Sequence, residues 1–178
     1  MKRFLTIAAV VLFASGAMAQ DGTFLYGWTV SASMVDPFVN TGTAAGGMLT
    51  LHLWFNCSYE EGMSAAEFTM GGTIVPFAFV AMNGFLNAGD ATTLKLAVGG
   101  CPVGPVVAGL LYTNDFGGSI YLTESAEGFN STVDCGAGPF LAHPNQWIGY
   151  ASDGGPAPSN VDMGDMCVPI SVEDTTWG

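Results

Sequence analysis

Between Leu49 and Phe55 the chain reads Leu-Thr-Leu-His-Leu-Trp-Phe, so every second side chain is large and apolar. A period of two belongs to an extended strand with one buried face, because successive side chains leave a pleated backbone on opposite sides. Leu49, Leu51, Leu53 and Phe55 are therefore expected to face a core, with Thr50, His52 and Trp54 on the other side. A helix would scatter the same leucines around its circumference.

The pattern recurs along the chain. Residues 24–32 (FLYGWTVSA) place Phe24, Tyr26, Trp28 and Val30 on one side, and further strands are expected over 67–70, 74–82, 93–98, 106–113, 119–123, 131–135 and 147–151. Runs rich in Gly, Asn, Asp and Pro separate them, which are turn compositions. Eight or nine short strands punctuated this way predict a single all-β domain, a two-sheet antiparallel β-sandwich of the Ig-like kind, with a closed barrel as the alternative. Only residues 58–68 have helical character: Ser64 and Glu67 stand at capping-box spacing, but Gly62 interrupts, so one helical turn is expected there. Residues 136–145 and 152–166 read as loops.

Met1, Lys2 and Arg3 precede an apolar run over residues 4–13, which closes on Ala17-Met18-Ala19. This is the three-part pattern of a secretory signal peptide over residues 1–19, cut before Gln20. About ten apolar residues are too few to span a bilayer core of about 30 Å. The expected organisation is a signal peptide (1–19), a β-sandwich domain (20–170) and a C-terminal tail (171–178). The expected location is outside the cytoplasm, in the periplasm, on the cell surface or in the medium, with no membrane insertion after cleavage.

After cleavage Lys95 is the only base against fifteen acids, which leaves a net charge of about −14 with His neutral. Phosphate backbones would be repelled, so nucleic acid is excluded as a partner. With 49% hydrophobic and only 10% charged residues the chain also lacks the composition of a disordered protein. The acids are scattered and read as a solvated surface.

Cys57, Cys101, Cys135 and Cys167 form an even set in an exported chain and predict two disulfides. Three pairings are possible. Cys57 with Cys101 and Cys135 with Cys167 are expected, each tying a strand end to a neighbouring segment. A zinc site usually brings CxxC pairs or Cys with nearby His, whereas here the cysteines are 44, 34 and 32 residues apart.

Several short motifs follow one another: Leu-His-Leu-Trp-Phe-Asn-Cys at 51–57, Gly-Cys-Pro-Val-Gly-Pro at 100–105, Val-Asp-Cys at 133–135 and Val-Glu-Asp-Thr-Thr-Trp-Gly at 172–178. In this order they resemble an uncharacterised group of secreted bacterial Ig-like β-sandwich proteins, some of which continue past Thr-Trp-Gly with a short basic tail. The resemblance implies the sandwich fold and export, and brings no catalytic residue with it.

Catalysis finds little support. The two histidines, His52 in a strand and His143 before Pro144, have no Gly-x-Ser-x-Gly elbow to serve, and all four cysteines are better used as bridges. Glu60/Glu61 and Glu124/Glu127 are local pairs, whereas glycosidase carboxylates come from separate elements around a cleft. No phosphate-cradling or zinc-protease motif is present. Asn160, Asp162 and Asp165, with Asp153 before them, are the candidate ligands for a calcium ion, though not at EF-hand spacing. Trp54 and His52 are the candidate ligand-binding residues. An exposed Trp54 would stack on sugar rings or on a partner protein, unless a loop, Tyr121 or Trp147 covers it.

The functional expectation is a non-enzymatic secreted or cell-surface domain in a structural or adhesive role. Its expected contacts are surface polysaccharide, other envelope proteins, or a second copy joined through the first strand at a sheet edge. The alternative is a carbohydrate-binding module that uses exposed aromatics.

Overall fold

The computed structural model describes residues 26–58, 62–136 and 142–166. The expected signal peptide, the expected C-terminal tail with its Thr-Trp-Gly motif, Cys167 and the Glu60/Glu61 pair lie outside the described residues. Among those described there is no helix and there are eleven strands: β1 (Tyr26–Ser31), β2 (Gly47–Cys57), β3 (Met63–Gly72), β4 (Pro76–Ala81), β5 (Phe85–Asn87), β6 (Thr93–Val98), β7 (Val106–Asp115), β8 (Ser119–Thr123), β9 (Ser131–Asp134), β10 (Ala142–Ile148) and β11 (Tyr150–Ala151).

They form two layers. The first runs β10-β1-β2-β7-β4. In the second, β5 pairs β6 and β6 pairs β3, while the other side of β3 is shared by β9 and β8, and β11 flanks β8. β10 belongs to both layers, because His143 and Pro144 pair with β9 whereas Asn145 to Ile148 pair with β1. The β1–β10 pairing is parallel and every other ladder is antiparallel. This corrects the wholly antiparallel expectation. A parallel pair needs a long crossover, and β1 and β10, far apart in the chain, have one.

The core lies between the layers. Leu51, Leu53 and Phe55 are fully buried as their alternation predicts, and Tyr26, Trp28 and Val30 join them from β1. Phe68 and Met70 of β3, Leu94 and Leu96 of β6, and Ile120 and Leu122 of β8 face them from the second layer. Trp28 bridges the two, its ring 5.1 Å from Phe55 and 5.1 Å from Phe68. Its indole N–H donates to Thr132 Oγ1 at 3.0 Å, and the Thr132 hydroxyl donates to Asn145 Oδ1 at 2.6 Å. The one polar atom of the core tryptophan is thus satisfied, as a buried donor must be.

Three local expectations change. The helical turn expected in 58–68 is absent from its described part, where β3 begins at Met63. Ala66, Phe68 and Met70 alternate inward, and ladders on both edges of β3 override the helix preference of Ser-Ala-Ala-Glu. The loop expected over 136–145 gives way to β10 from Ala142, which tolerates Pro144 at the point where the strand changes partner. The strand expected over 147–151 is divided at Gly149, whose N–H goes to Pro158 O.

Cys101 is bonded to Cys135, with Cα atoms 5.9 Å apart. Both expected pairings are overturned, since each would use one of these two residues. The loop after β6 folds over the start of β3, where Met63 N–H donates to Pro102 O and Cys135 N–H donates to Gly62 O. That crossing carries Cys101 to the end of β9. It also requires glycine at 62, where φ is +73° and a Cβ would stand 2.1 Å from the Cys101 carbonyl oxygen. Gly104 of the same loop has φ +81° and would press a Cβ onto the Asn56 backbone. The Gly-Cys-Pro-Val-Gly-Pro motif is the sequence form of this packing. No cysteine is free among the described residues.

Candidate binding faces

Trp54 points away from the core, as its place in the alternation predicts, but it is 8% exposed. Its indole N–H donates to Ser33 O at 3.0 Å, so the segment after β1 lies over it. The expectation of an exposed tryptophan platform is therefore corrected. β1 is buried along its whole length, and on its outward side Asn56 Nδ2 of the neighbouring β2 donates to Thr29 Oγ1 at 3.0 Å and lies 3.5 Å from the Met166 sulfur. Because β1 lies between β10 and β2, it has no free edge for a second copy.

Past Trp54 the same face is partly open, with Met48, Val80 and Asn114 exposed and Thr50, His52, Ala78, Leu110 and Tyr112 half-buried. Register places Val80, Leu110 and His52 in one row across β4, β7 and β2, and Ala78, Tyr112 and Thr50 in the next, followed by Asn114 beside Met48. Side chains directly opposite on one face of a sheet stand about 4.5 to 5.5 Å apart at Cβ, so these rows are contiguous. None of the eight is charged at neutral pH. Met48 is 70% exposed, Val80 48%, and Phe77, extruded at the bulge between Pro76 and Ala78, 54%. β4 pairs only with β7 among the described residues, so this face ends at an open sheet edge. His52 is half-buried within it. Burial lowers its pKa, opposed in part by the Ser31 backbone, and its Nδ1 has no hydrogen-bond partner.

The outward face of the second layer is polar and paired with itself. Glu67 of β3 stands opposite Lys95 of β6, and Thr69 opposite Thr93, with hydroxyls 3.3 Å apart. Lys95 Nζ reaches Glu127 at 3.2 Å and Glu67 at 3.5 Å, which raises the lysine pKa and lowers that of Glu127. Tyr121 stacks on Trp147 with ring centres 5.4 Å apart.

The proposed calcium ligands do not converge as a cage. Asn160 is used up internally, its Oδ1 accepting from Trp147 N–H at 2.7 Å and its Nδ2 donating to Asn145 O at 2.9 Å. Asp162 and Asp165 are exposed on the turn that follows, closed by Asp165 N–H to Asp162 O. Among the described residues no three His, Cys, Asp or Glu side chains are grouped for a metal.

Two polar constellations escaped the sequence reading. His143 Nε2 lies 3.3 Å from Asp134 Oδ2, and its ring packs on Tyr26 at 5.2 Å. Asp134 belongs to the Val-Asp-Cys motif, which was its only visible signal. Asp115, in a stretch that reads as a plain turn, is fully buried. Burial works against its charge, but donors from Ser152 Oγ, Ala45 N–H and Gly117 N–H outweigh it and hold the carboxyl below its ordinary range. Burial, with the Asp115 charge behind it, pushes the Tyr150 phenol upward. Among the described residues no helix is long and apolar enough to cross a membrane.

No protein-family model matches the sequence, and no curated protein matches it. Two solved structures are similar in fold. The seventh ScaB type I cohesin from Pseudobacteroides cellulosolvens superposes with a TM-score of 0.51 at 8% identity, covering 71% of this chain and 90% of that one. The sixth cohesin from scaffoldin B of Acetivibrio cellulolyticus, solved with a Cel5 dockerin, gives a TM-score of 0.48 at 10% identity, covering 71% and 96%. At such identities the first likeness concerns the fold alone: this chain has an all-β sandwich architecture similar to that of a type I cohesin.

Proposed function

We propose that this protein is a non-enzymatic, exported adhesive domain that binds a protein partner through the outer face of β2, β7 and β4. The observation that carries this reading is the uncharged patch of Met48, Thr50, His52, Ala78, Val80, Leu110 and Tyr112 on a chain whose charges are mostly acidic. Contiguous exposed apolar surface beside an open sheet edge is the usual mark of a protein contact. The acidic remainder suits a partner whose apolar centre is rimmed by basic residues. The fold shared with a cohesin agrees with a binding role. A sugar platform has less support, because Trp54 is covered and Tyr121 spends one ring face on Trp147.

Labelled protein applied to intact cells of the producing organism tests the reading. Retention is expected to disappear in Val80→Glu and after protease treatment of the cells, with circular dichroism of the variant unchanged. Retention that survives both, or that soluble cell-wall glycan displaces, would overturn it.

A further inference from the structure

The contact of Asn56 Nδ2 with the Met166 sulfur brings the end of β2 and the last described residue of the chain together. Met166 is only 7% exposed, so the two segments are packed on each other. Cys57 follows Asn56 in sequence, and Cys167 follows Met166. Consecutive Cα atoms are about 3.8 Å apart, so both cysteines stand one residue from the same contact. A disulfide needs Cα atoms about 4.4 to 6.8 Å apart, a separation that two such neighbours reach. Cys57 is itself held in a disulfide. Of the four cysteines in the chain, Cys101 and Cys135 are taken by each other. The partner of Cys57 is therefore Cys167 or a cysteine of another copy.

We propose that Cys57 and Cys167 form a second disulfide within the chain, which fastens the segment after the Asp162–Asp165 turn to the end of β2. Bonding to another copy is disfavoured, because two strongly acidic chains repel each other whereas Met166 already stands beside Asn56 in the same one. The bond forms when the two thiols give up two electrons and two protons to a disulfide oxidant outside the cytoplasm, which is reduced to its dithiol. Just past Cys57, Ser58 N–H donates to Val103 O in the loop that carries Cys101. Both crosslinks thus gather at one end of the sandwich, one joining that loop to the end of β9 and the other joining β2 to the residue after Met166. The second makes the packing of Met166 on Asn56, and through Asn56 on Thr29, covalently held.

Peptide mapping of the unaltered full chain, expressed with export, tests the pairing without asking any variant to fold. The protein is alkylated with iodoacetamide in denaturant without reduction, then digested with pepsin at acid pH, where thiolate is scarce and disulfides do not exchange. A linked pair of peptides holding Cys57 and Cys167 is expected, which separates on reduction, beside a Cys101–Cys135 pair and with no alkylated cysteine. Cys167→Ser is expected to yield one titratable thiol per chain, alkylated at Cys57, to keep the Cys101–Cys135 pair and to unfold at a lower urea concentration. A Cys57–Cys57 link with a dimer in non-reducing electrophoresis would overturn the proposal. So would a link from Cys57 to Cys101 or Cys135, or alkylation of Cys57 in the unaltered chain.

Discussion

The outward sides of the two sheets come from the same alternating pattern and differ in every other respect. On the second layer, Glu67, Lys95, Thr69 and Thr93 satisfy one another across the ladder. On the first, Trp54 and Thr29 are buried, Trp54 under the segment after β1, whereas Val80 and Met48 are exposed beside half-buried Leu110 and Tyr112. Alternation thus decides which side chains leave the core but not what meets them outside. A polar outer face closes on itself in water, whereas an apolar one needs a cover, supplied either by the chain or by something else.

The contrast can be broken experimentally, and the largest effect should come from the second layer. Replacing Cys101 and Cys135 together by serine removes a crosslink between residues 34 apart in sequence. The loss should be about 3 to 4 kcal/mol of unfolding free energy, read from urea titration. Trp54→Ala should cost about 3 kcal/mol, because a covered indole is removed together with its bond to Ser33. A bare platform tryptophan would lose far less. Asp115→Asn should cost about 2 kcal/mol by weakening the charged acceptor shared by Ser152, Ala45 and Gly117.

Two acid-side transitions should separate the regions further. His52 has a lowered pKa in the fold, so the unfolded chain takes up its proton first. Its contribution is complete above about pH 6.5 and declines as the pH falls below that, until the folded form also protonates. The Asp115 carboxyl is likewise lowered, and its contribution is complete above about pH 4 and lost below it. Stability measured against pH should therefore show His52→Gln removing the upper step and Asp115→Asn the lower. Smallest of all, Lys95→Met should leave the urea midpoint unchanged, because its ion pairs are open to solvent.

How much of this could be read beforehand depended on whether the information was local. Thr93–Val98 and Ser119–Thr123 have the bounds expected from their alternation, since each strand carries its own inward Leu or Ile every second residue. β3 was legible only from Glu67 on, because Ser-Ala-Ala-Glu satisfies a helix as well as a strand until two neighbours pair with it. Pro144 made a strand look like a loop, because a change of partner strand leaves no trace in composition. The bond from Cys101 to Cys135 depends on a loop crossing over Gly62, which no spacing rule contains. At the candidate sites, the outward placement of His52 and Trp54 was readable and the covering of Trp54 was not. Asp115 resembled an ordinary turn residue, since its burial comes from segments distant in the chain.

β10 passes from β9 to β1 without a break in its backbone. The two layers are therefore joined through one continuous strand, and separating them would mean giving up the ladder hydrogen bonds of β10 to β9 or to β1.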